Sequence, residues 1–477
     1  MRMRPEEVPP ADITVEDWAN TPPAVRAWAR TIEQRLARLE EQVNQTSRNS
    51  SKPPSSDPPT LARPTRSPSG RKAGGQPGHP GHGRELKPEE EVDRVVDAKP
   101  AVCGQCGSLL LGDDPQPVRH QVTELPVITP VVTEYRCHTL ACVVCGAQTQ
   151  APWPQDMPPG SFGPRLQATT GFLTGRMGAS QREVHEMLET LFATEVSVGS
   201  IAAVEHAVSK ALAEPVAEAT RYVQRQHMRN VDETGWRERA KRVWLWVCAT
   251  PLVTVWRVLA SRSAASAKGL LGEDFPGVVG TDRYGAYNWV DPQRRQLCWA
   301  HLKRNFVAFV ERGGESARIG SALLAEEAQL FALWYRVRDG TLAWADFQVR
   351  MLPVMAQVGE LLQEGAAVAH ARTARTCRNL RKREAALWTF VWEEDVEPTN
   401  NSAERPLRRA VLWRRRSFGT QSAAGSQFVE RILTTVTTLR QQNRAVLEYL
   451  TAACAAAIRG DKAPSLLPQL RPVTFTL

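Results

Sequence analysis

The chain has 477 residues, 42% hydrophobic and 23% charged, which excludes a disordered chain and leaves room for two to four domains with cores of their own. Its 60 Lys and Arg against 51 Asp and Glu give a formal charge of +9, and the excess is clustered, as a polyanionic partner such as nucleic acid or an anionic membrane requires. Because no apolar run is long enough to span a bilayer and MRMRPEEVPPADITVEDW lacks the apolar core of a secretory signal, a cytoplasmic protein with no membrane partner is expected.

The first element is a leucine-zipper-like helix over residues 20–46. Val25, Ala29, Ile32, Leu36, Leu39 and Val43 recur in alternating steps of four and three. Two readings fit that seam: a homo-oligomer held by a coiled coil, or one amphipathic helix on the protein's own core. Residues 47–95 turn to Pro, Ser and Gly with scattered Lys and Arg, the composition of a disordered basic linker that either touches DNA phosphates or serves as a tether.

A zinc-binding domain is expected over residues 96–155. Cys103 and Cys106, then Cys142 and Cys145, form two Cys-x-x-Cys pairs. In a reducing compartment such pairs point to metal rather than disulfides, and four thiolates complete a tetrahedral structural Zn²⁺ site with no open position. The 35-residue spacer, which includes the strand-like VTEYRCHTL, predicts a small inserted hairpin. Cys137 and His138 lie close enough to compete as ligands, and His79 and His82 sit in the glycine-rich linker. Residues 160–228 read as helical, with Ser180 and Glu183 at capping-box spacing, and form either a helix-turn-helix DNA reader or a plain scaffold.

Residues 229–425 hold the acidic constellation. A short strand reaches Asp232, RVWLWVCAT and LVTVWRVL form a hairpin turned through Pro251, a helix follows, and PGVVGTDRYGAY gives a buried strand ending at Asp282. RQLCWAHLKRNF then supplies a strand leading into a helix. That order is the order of a ribonuclease-H-like fold, interrupted by a helical insertion at about 314–395, so the fold class is α+β multidomain with a ribonuclease-H-like α/β core. A carboxy-terminal helical region, 426–477, closes the chain.

Asp232 and Asp282 are expected to face each other across sheet neighbours. Strand alternation sends Glu233 to the other face, leaving Asp232 in the cluster. In TNNSAERPLRRAVLWRRRSF, capping residue types at Asn400, Asn401 and Ser402 place Glu404 in a first helical turn, with Pro406 marking the helix start. Two unit charges ~4 Å apart repel by roughly 4 kcal/mol at an effective dielectric near 20, so three carboxylates call for a cation, and oxygen-only ligands suit Mg²⁺ or Mn²⁺. Around them lie Arg405, Arg408, Arg409, Arg414, Arg415 and Arg416, and a stripe of Arg372, Arg375, Arg378 and Arg381, either a DNA-phosphate surface or a solvated helix face. Trp299 and Trp413 are the tryptophans placed to stack on an extruded base.

In order, SSKPPSSD, GGQPGHPG, the paired knuckles, VDETGW, DRYGAY, CWAHLKRNF and NNSAERPLR resemble the transposase of the insertion sequence 66 family, over about residues 25–450. The resemblance implies a DDE transposase that cleaves insertion-sequence ends and transfers strands into target DNA. Its catalytic, Mg²⁺-holding acids carry over to Asp232, Asp282 and Glu404, and its zinc ligands to Cys103, Cys106, Cys142 and Cys145. Expected partners are terminal inverted repeats and target DNA, further copies of the chain, and small accessory proteins of the same element. A stand-alone nuclease on the same fold and a DNA-binding regulator descended from a transposase are the alternatives.

Overall fold

The structure is a computed structural model describing residues 13–50, 57, 85–272 and 275–468. Most of the expected linker, with His79 and His82, lies outside the described residues. The chain divides into two compact units, Met1–Asp57 with Val132–Leu477, and Pro58–Val131.

In the smaller unit, no side chain among the described residues 85–131 is buried. Its order comes from local hydrogen bonds. The Cys103 N–H donates to the Ser108 carbonyl at 2.8 Å and the Gly107 N–H to the Cys103 carbonyl at 2.9 Å, closing a turn bracketed by an antiparallel bridge between Val102 and Leu109. Gly107 takes φ +73°, which a side chain would strain.

The larger unit begins with helices α1 (Val15–Asn20) and α2 (Pro23–Val43). Val25, Ile32, Leu36, Leu39 and Val43 of α2 are all exposed, so the seam does not lie on the protein's own core. The foot of the helix is anchored: Glu41 accepts from Arg312 at 2.9 Å and pairs with Arg372. Strands β1 (Thr139–Ala141) and β2 (Gln148–Gln150) form an antiparallel ribbon around Cys142 and Cys145. The spacer's hairpin is therefore wrapped around the second knuckle rather than inserted between the two, and VTEYRCHTL becomes strand only at Thr139. The second knuckle repeats the first, with Gly146 at φ +73° and its N–H donating to the Cys142 carbonyl at 2.8 Å.

Helices α3 (Pro164–Phe172), α4 (Gln181–Phe192), α5 (Val198–Ala211) and α6 (Ala213–Gln224) follow, with a π-helical turn, Leu173–Met177, after α3. The capping box forms as its spacing predicts: Ser180 Oγ accepts the Glu183 N–H, and the Glu183 carboxylate accepts the Ser180 N–H. Next come β3 (Met228–Glu238), β4 (Lys241–Ala249), β5 (Thr254–Leu259), α7 (Ala264–Leu271), β6 (Val278–Thr281), β7 (Arg295–Leu297) and α8 (Trp299–Glu311). The inserted helices are α9 (Gly314–Arg338), α10 (Trp344–Gly365), α11 (Ala371–Arg381) and α12 (Ala385–Trp392); α13 (Asn401–Ser417), α14 (Ala423–Gln441) and α15 (Val446–Arg459) complete the unit. No helix among the described residues is long and apolar enough to cross a membrane.

The sheet order is β5-β4-β3-β6-β7, with β3, β4 and β5 antiparallel and β6 and β7 parallel to β3. β3 does not stop at Asp232. It stays paired with β4 to Glu238, where Arg239, at φ +53°, makes the turn. Alternation then sorts the core: Val231, Trp246 and Cys248 pack with α5, α6, α14 and α15, whereas Trp236, Leu245 and Val247 pack under Ala403, Leu407 and Ala410 of α13.

Both sheet edges are covered. Along β5, the N–H groups of Thr254, Trp256 and Val258 donate to Thr438 Oγ1 (3.1 Å), Thr434 Oγ1 (3.0 Å) and Glu430 Oε1 (2.6 Å) of α14. Two strand residues advance ~6.6 Å and four helical residues ~6.0 Å, so helix and strand stay in step over this ladder. Along β7, the Phe390 N–H donates to Gln296 Oε1 at 2.9 Å and Thr389 Oγ1 donates to the Arg295 carbonyl at 2.8 Å.

The inserted helices share a core with α8 and the sheet, running from Met228, Val278 and Leu297 through Leu302 and Phe306 of α8 to Phe390 of α12. At its centre α8 and α9 touch backbone to backbone, because a Cβ on Gly320 would sit 2.7 Å from the Phe306 carbonyl oxygen. Gly320→Ala is therefore expected to destabilise the protein by about 1–3 kcal/mol in urea unfolding, the usual cost of overpacking against rigid atoms.

Candidate active site

Strand register sets two of the acids side by side. The last parallel rung between β3 and β6 pairs Asn230 with Gly280, and Asp232 and Asp282 each lie two residues beyond it. Neighbouring strands run ~4.8 Å apart, so both carboxyls emerge at the same end of the sheet. Asp282 is fixed by a turn in which its Oδ1 accepts the Tyr284 N–H at 2.8 Å.

Glu404 arrives from the first turn of α13, whose start is sewn to the sheet. Asn400 does not cap that helix with its side chain. Instead, Asn400 Nδ2 donates to the Val231 carbonyl at 2.8 Å, one residue before Asp232, and its N–H donates to Cys298 Sγ at 3.2 Å. Pro406 falls at the sixth helical residue, a turn later than its sequence position suggested.

Asp232 lies within electrostatic reach of its acidic neighbours. Burial, then Glu233, Asp282 and Glu404, push the Asp232 carboxyl well above the ordinary carboxylate range. Glu233 does leave on the opposite face, as alternation requires, but it stays within reach of Asp282. Burial and Asp282 raise its pKa, while Arg262 and the Tyr287 hydroxyl hold its carboxylate. Arg262 also reaches Asp282 at 3.9 Å.

Sequence reading missed His301. Its Nδ1 lies 3.4 Å from Glu404 Oε1 and is buried without a hydrogen-bond partner, and burial lowers its pKa. The signal was present in CWAHLKRNF, where Cys298 and His301 are one helical turn apart. Cys298, His301 and Glu404 are the one group of potential metal ligands brought together among the described residues. The Cys298 thiol donates to Glu404 at 3.6 Å and is pushed up to about 12 by burial and by Glu404, so it stays protonated beside the acid.

Residues 160–428, more than half of the chain, match the Transposase IS66 family. The chain belongs to that family. Residues 10–85 match a family of unknown function (DUF6444). A similar curated protein is the uncharacterized protein y4qI of Sinorhizobium fredii (strain NBRC 101917 / NGR234), 24% identical over 259 residues, which cover 50% of this chain and 48% of the relative. The chain thus spans about half the length of the curated relative it matches.

The arginines of this IS66-family protein divide into two groups. Arg375, Arg378, Arg381, Arg405, Arg408, Arg409, Arg415 and Arg416 are exposed, though Arg416 pairs with Glu183 at 2.6 Å and Arg378 donates to the Ala366 carbonyl at 3.0 Å. Arg372 and Arg414 do not belong with them: Arg372 is committed to Glu41, and Arg414 donates to Thr234 Oγ1 at 2.8 Å and to the Gly235 carbonyl. Arg405, Arg409 and Arg416 line a groove of about 940 Å³ that also gathers Arg176 and Arg440, two residues that no local pattern singled out. Trp413 lines the same groove, whereas Trp299 is fully buried and cannot stack on a base.

A carboxyl whose folded pKa is raised favours the protonated form. It costs nothing below the unfolded pKa of ~3.9, and destabilises the fold progressively as pH rises through the folded pKa. Without divalent cations, Asp232→Asn should therefore melt at least ~2–4 °C above the wild type at neutral pH, a shift corresponding to about 1 kcal/mol. The difference should vanish toward pH 4 in thermal melts with chelator, and Mg²⁺ should narrow it at neutral pH.

Proposed function

We propose that this protein is a metal-dependent DNA transposase that cuts strands at the ends of an insertion sequence and joins them to target DNA. The observation that carries this reading is that Asp232, on β3, lies within electrostatic reach of Asp282, at the end of β6, and Glu404, in the first turn of α13, its carboxyl being raised by burial and Glu233 first and by those two acids as well. The sheet order, with helices on both faces, supports a ribonuclease-H-like core. The donor chemistry fits Mg²⁺ or Mn²⁺, because the three acids offer hard oxygen ligands and Asp232 has no protein cation paired with it among the described residues.

Asp232, Asp282 and Glu404 would hold the ion. Such an ion supplies an activated water at neutral pH and shields charge on the phosphate. The chain's own residues fix the frame. Asn400 locks the start of α13 to β3, Cys298 donates to Glu404, and neutral His301 stands beside the same carboxylate. In the first displacement a water oxygen bonds to phosphorus and the 3′-oxygen leaves as a hydroxyl. In the second, that hydroxyl attacks a target phosphorus and displaces a target 3′-oxygen, so no covalent protein–DNA intermediate is needed. The exposed arginines of α11 and α13 carry the DNA backbone.

Each Cys-x-x-Cys turn, taken by itself, would supply two thiolates to a structural zinc ion. Each has the same glycine-closed geometry, and the contacts of Ser108 lower the Cys106 thiol to about 7. The exposed seam of α2 is read as a surface for a second copy of the chain.

Alanine at Asp232, Asp282 or Glu404 should abolish strand cutting in a gel assay with Mg²⁺ while changing DNA affinity less than about tenfold; cutting by all three variants would overturn the assignment. A strand-transfer assay separates a transposase from a nuclease that only cuts. Changing Leu36 and Leu39 together to Lys should reduce the mass seen by light scattering to that of one chain without shifting the melting temperature, since neither side chain is buried in the core.

A further inference from the structure

Beside Asp282, but separate from the three acids, a small cavity of about 210 Å³ is lined by Arg283, Arg295 and Arg383, with Asn288 and Asn379 exposed at its rim. The arginines come from three places: the loop after β6, the start of β7 and the turn between α11 and α12. None has an ion pair among the described residues. Arg295 is 1% exposed, and its hydrogen bonds all go to neutral oxygens: Thr281 Oγ1 (2.9 Å), Asn288 Oδ1 (3.2 Å) and the carbonyls of Asp282 (2.8 Å) and Tyr284 (3.3 Å). Arg383 donates to the Asn379 carbonyl at 3.2 Å. Arg283 makes no hydrogen bond among the described residues.

Three guanidiniums facing one cavity repel one another, and burial adds to the cost. Asp282 offsets only part of this, because it is already turned toward Arg262 and the Tyr284 N–H. Guanidinium forks arriving from three directions match the several oxygens of a tetrahedral anion better than a planar carboxylate. The cavity is smaller than the ~300–1,000 Å³ of ordinary small-molecule sites, so it suits a phosphate group and not a whole nucleoside.

We propose that Arg283, Arg295 and Arg383 form a phosphate-binding subsite, and that its occupant is a DNA backbone phosphate neighbouring the one to be cut. The anion site follows from the cavity alone; its assignment to DNA rests on the transposase reading. Bound there, a strand would be held by its backbone with the adjacent linkage next to Asp282, which makes the arginines positioning residues.

The test uses the full chain in chelator, so no strand is cut and the result is independent of the three acids. Arg283→Gln and Arg383→Gln are chosen, and the deeply buried Arg295 is left alone to preserve the fold. Two quantities are read: the melting temperature with inorganic phosphate against chloride at equal ionic strength, and the salt slope of affinity for a labelled DNA duplex. Phosphate should raise the melting temperature of the wild type but of neither variant, and each variant should lower the slope by about 1, the loss of one phosphate contact. If phosphate stabilises only the wild type but the slopes are unchanged, the site takes free phosphate and the DNA assignment is overturned. If phosphate stabilises nothing and the slopes are equal, there is no anion site.

Discussion

A carboxyl held out of water next to other acids is unstable unless the surrounding chain cannot relax away from it, and much of the larger unit supplies that rigidity. Asp232 sits just past the last rung joining β3 to β6, where the sheet still dictates its direction but no strand pairs with it on that side. Asn400 reaches across to the carbonyl of Val231 and thereby ties the helix bearing Glu404 to the strand bearing Asp232. Glu233, the fourth acid nearby, is held by Arg262 and Tyr287 on the opposite face, which limits the repulsion at the site.

The inserted helices do more than lengthen the chain. They stand on α8, which begins at Cys298 and Trp299 beside the start of α13, and the Trp299 N–H bonds to the Pro398 carbonyl at 2.9 Å. Entry to and exit from the insertion are thus pinned within one neighbourhood, so a long excursion can interrupt the sheet domain without loosening the acids. The same excursion delivers Arg383 to the side of Asp282 and leaves Arg375, Arg378 and Arg381 in solvent.

What could be read from the sequence was what local chemistry decides. Alternation separated Asp232 from Glu233, the capping box at Ser180 formed as spaced, and the hairpin of β4 and β5 turned through Pro251. Tertiary pairing stayed hidden. Arg372 and Arg414 looked like their neighbours in two basic helices, yet one answers Glu41 from a distant helix and the other answers the backbone of β3. Asn400 has the residue type of a helix cap but serves as a clamp, because the carbonyl it meets is 169 positions away in the chain. His301 and the Arg283, Arg295 and Arg383 cluster are likewise products of folding: no periodicity marks residues whose only common feature is the cavity they share.

The side-chain ladder from α14 onto β5 has a consequence for how copies of this molecule can meet. An outer strand normally offers its amides to any extended segment that drifts past, and many assemblies and aggregates grow that way. Here Thr438, Thr434 and Glu430 have already taken those amides, and because helix and strand advance at nearly equal pitch, one residue inserted or deleted between Glu430 and Thr438 would put part of the ladder out of phase. Growth by adding strands along that border is closed off.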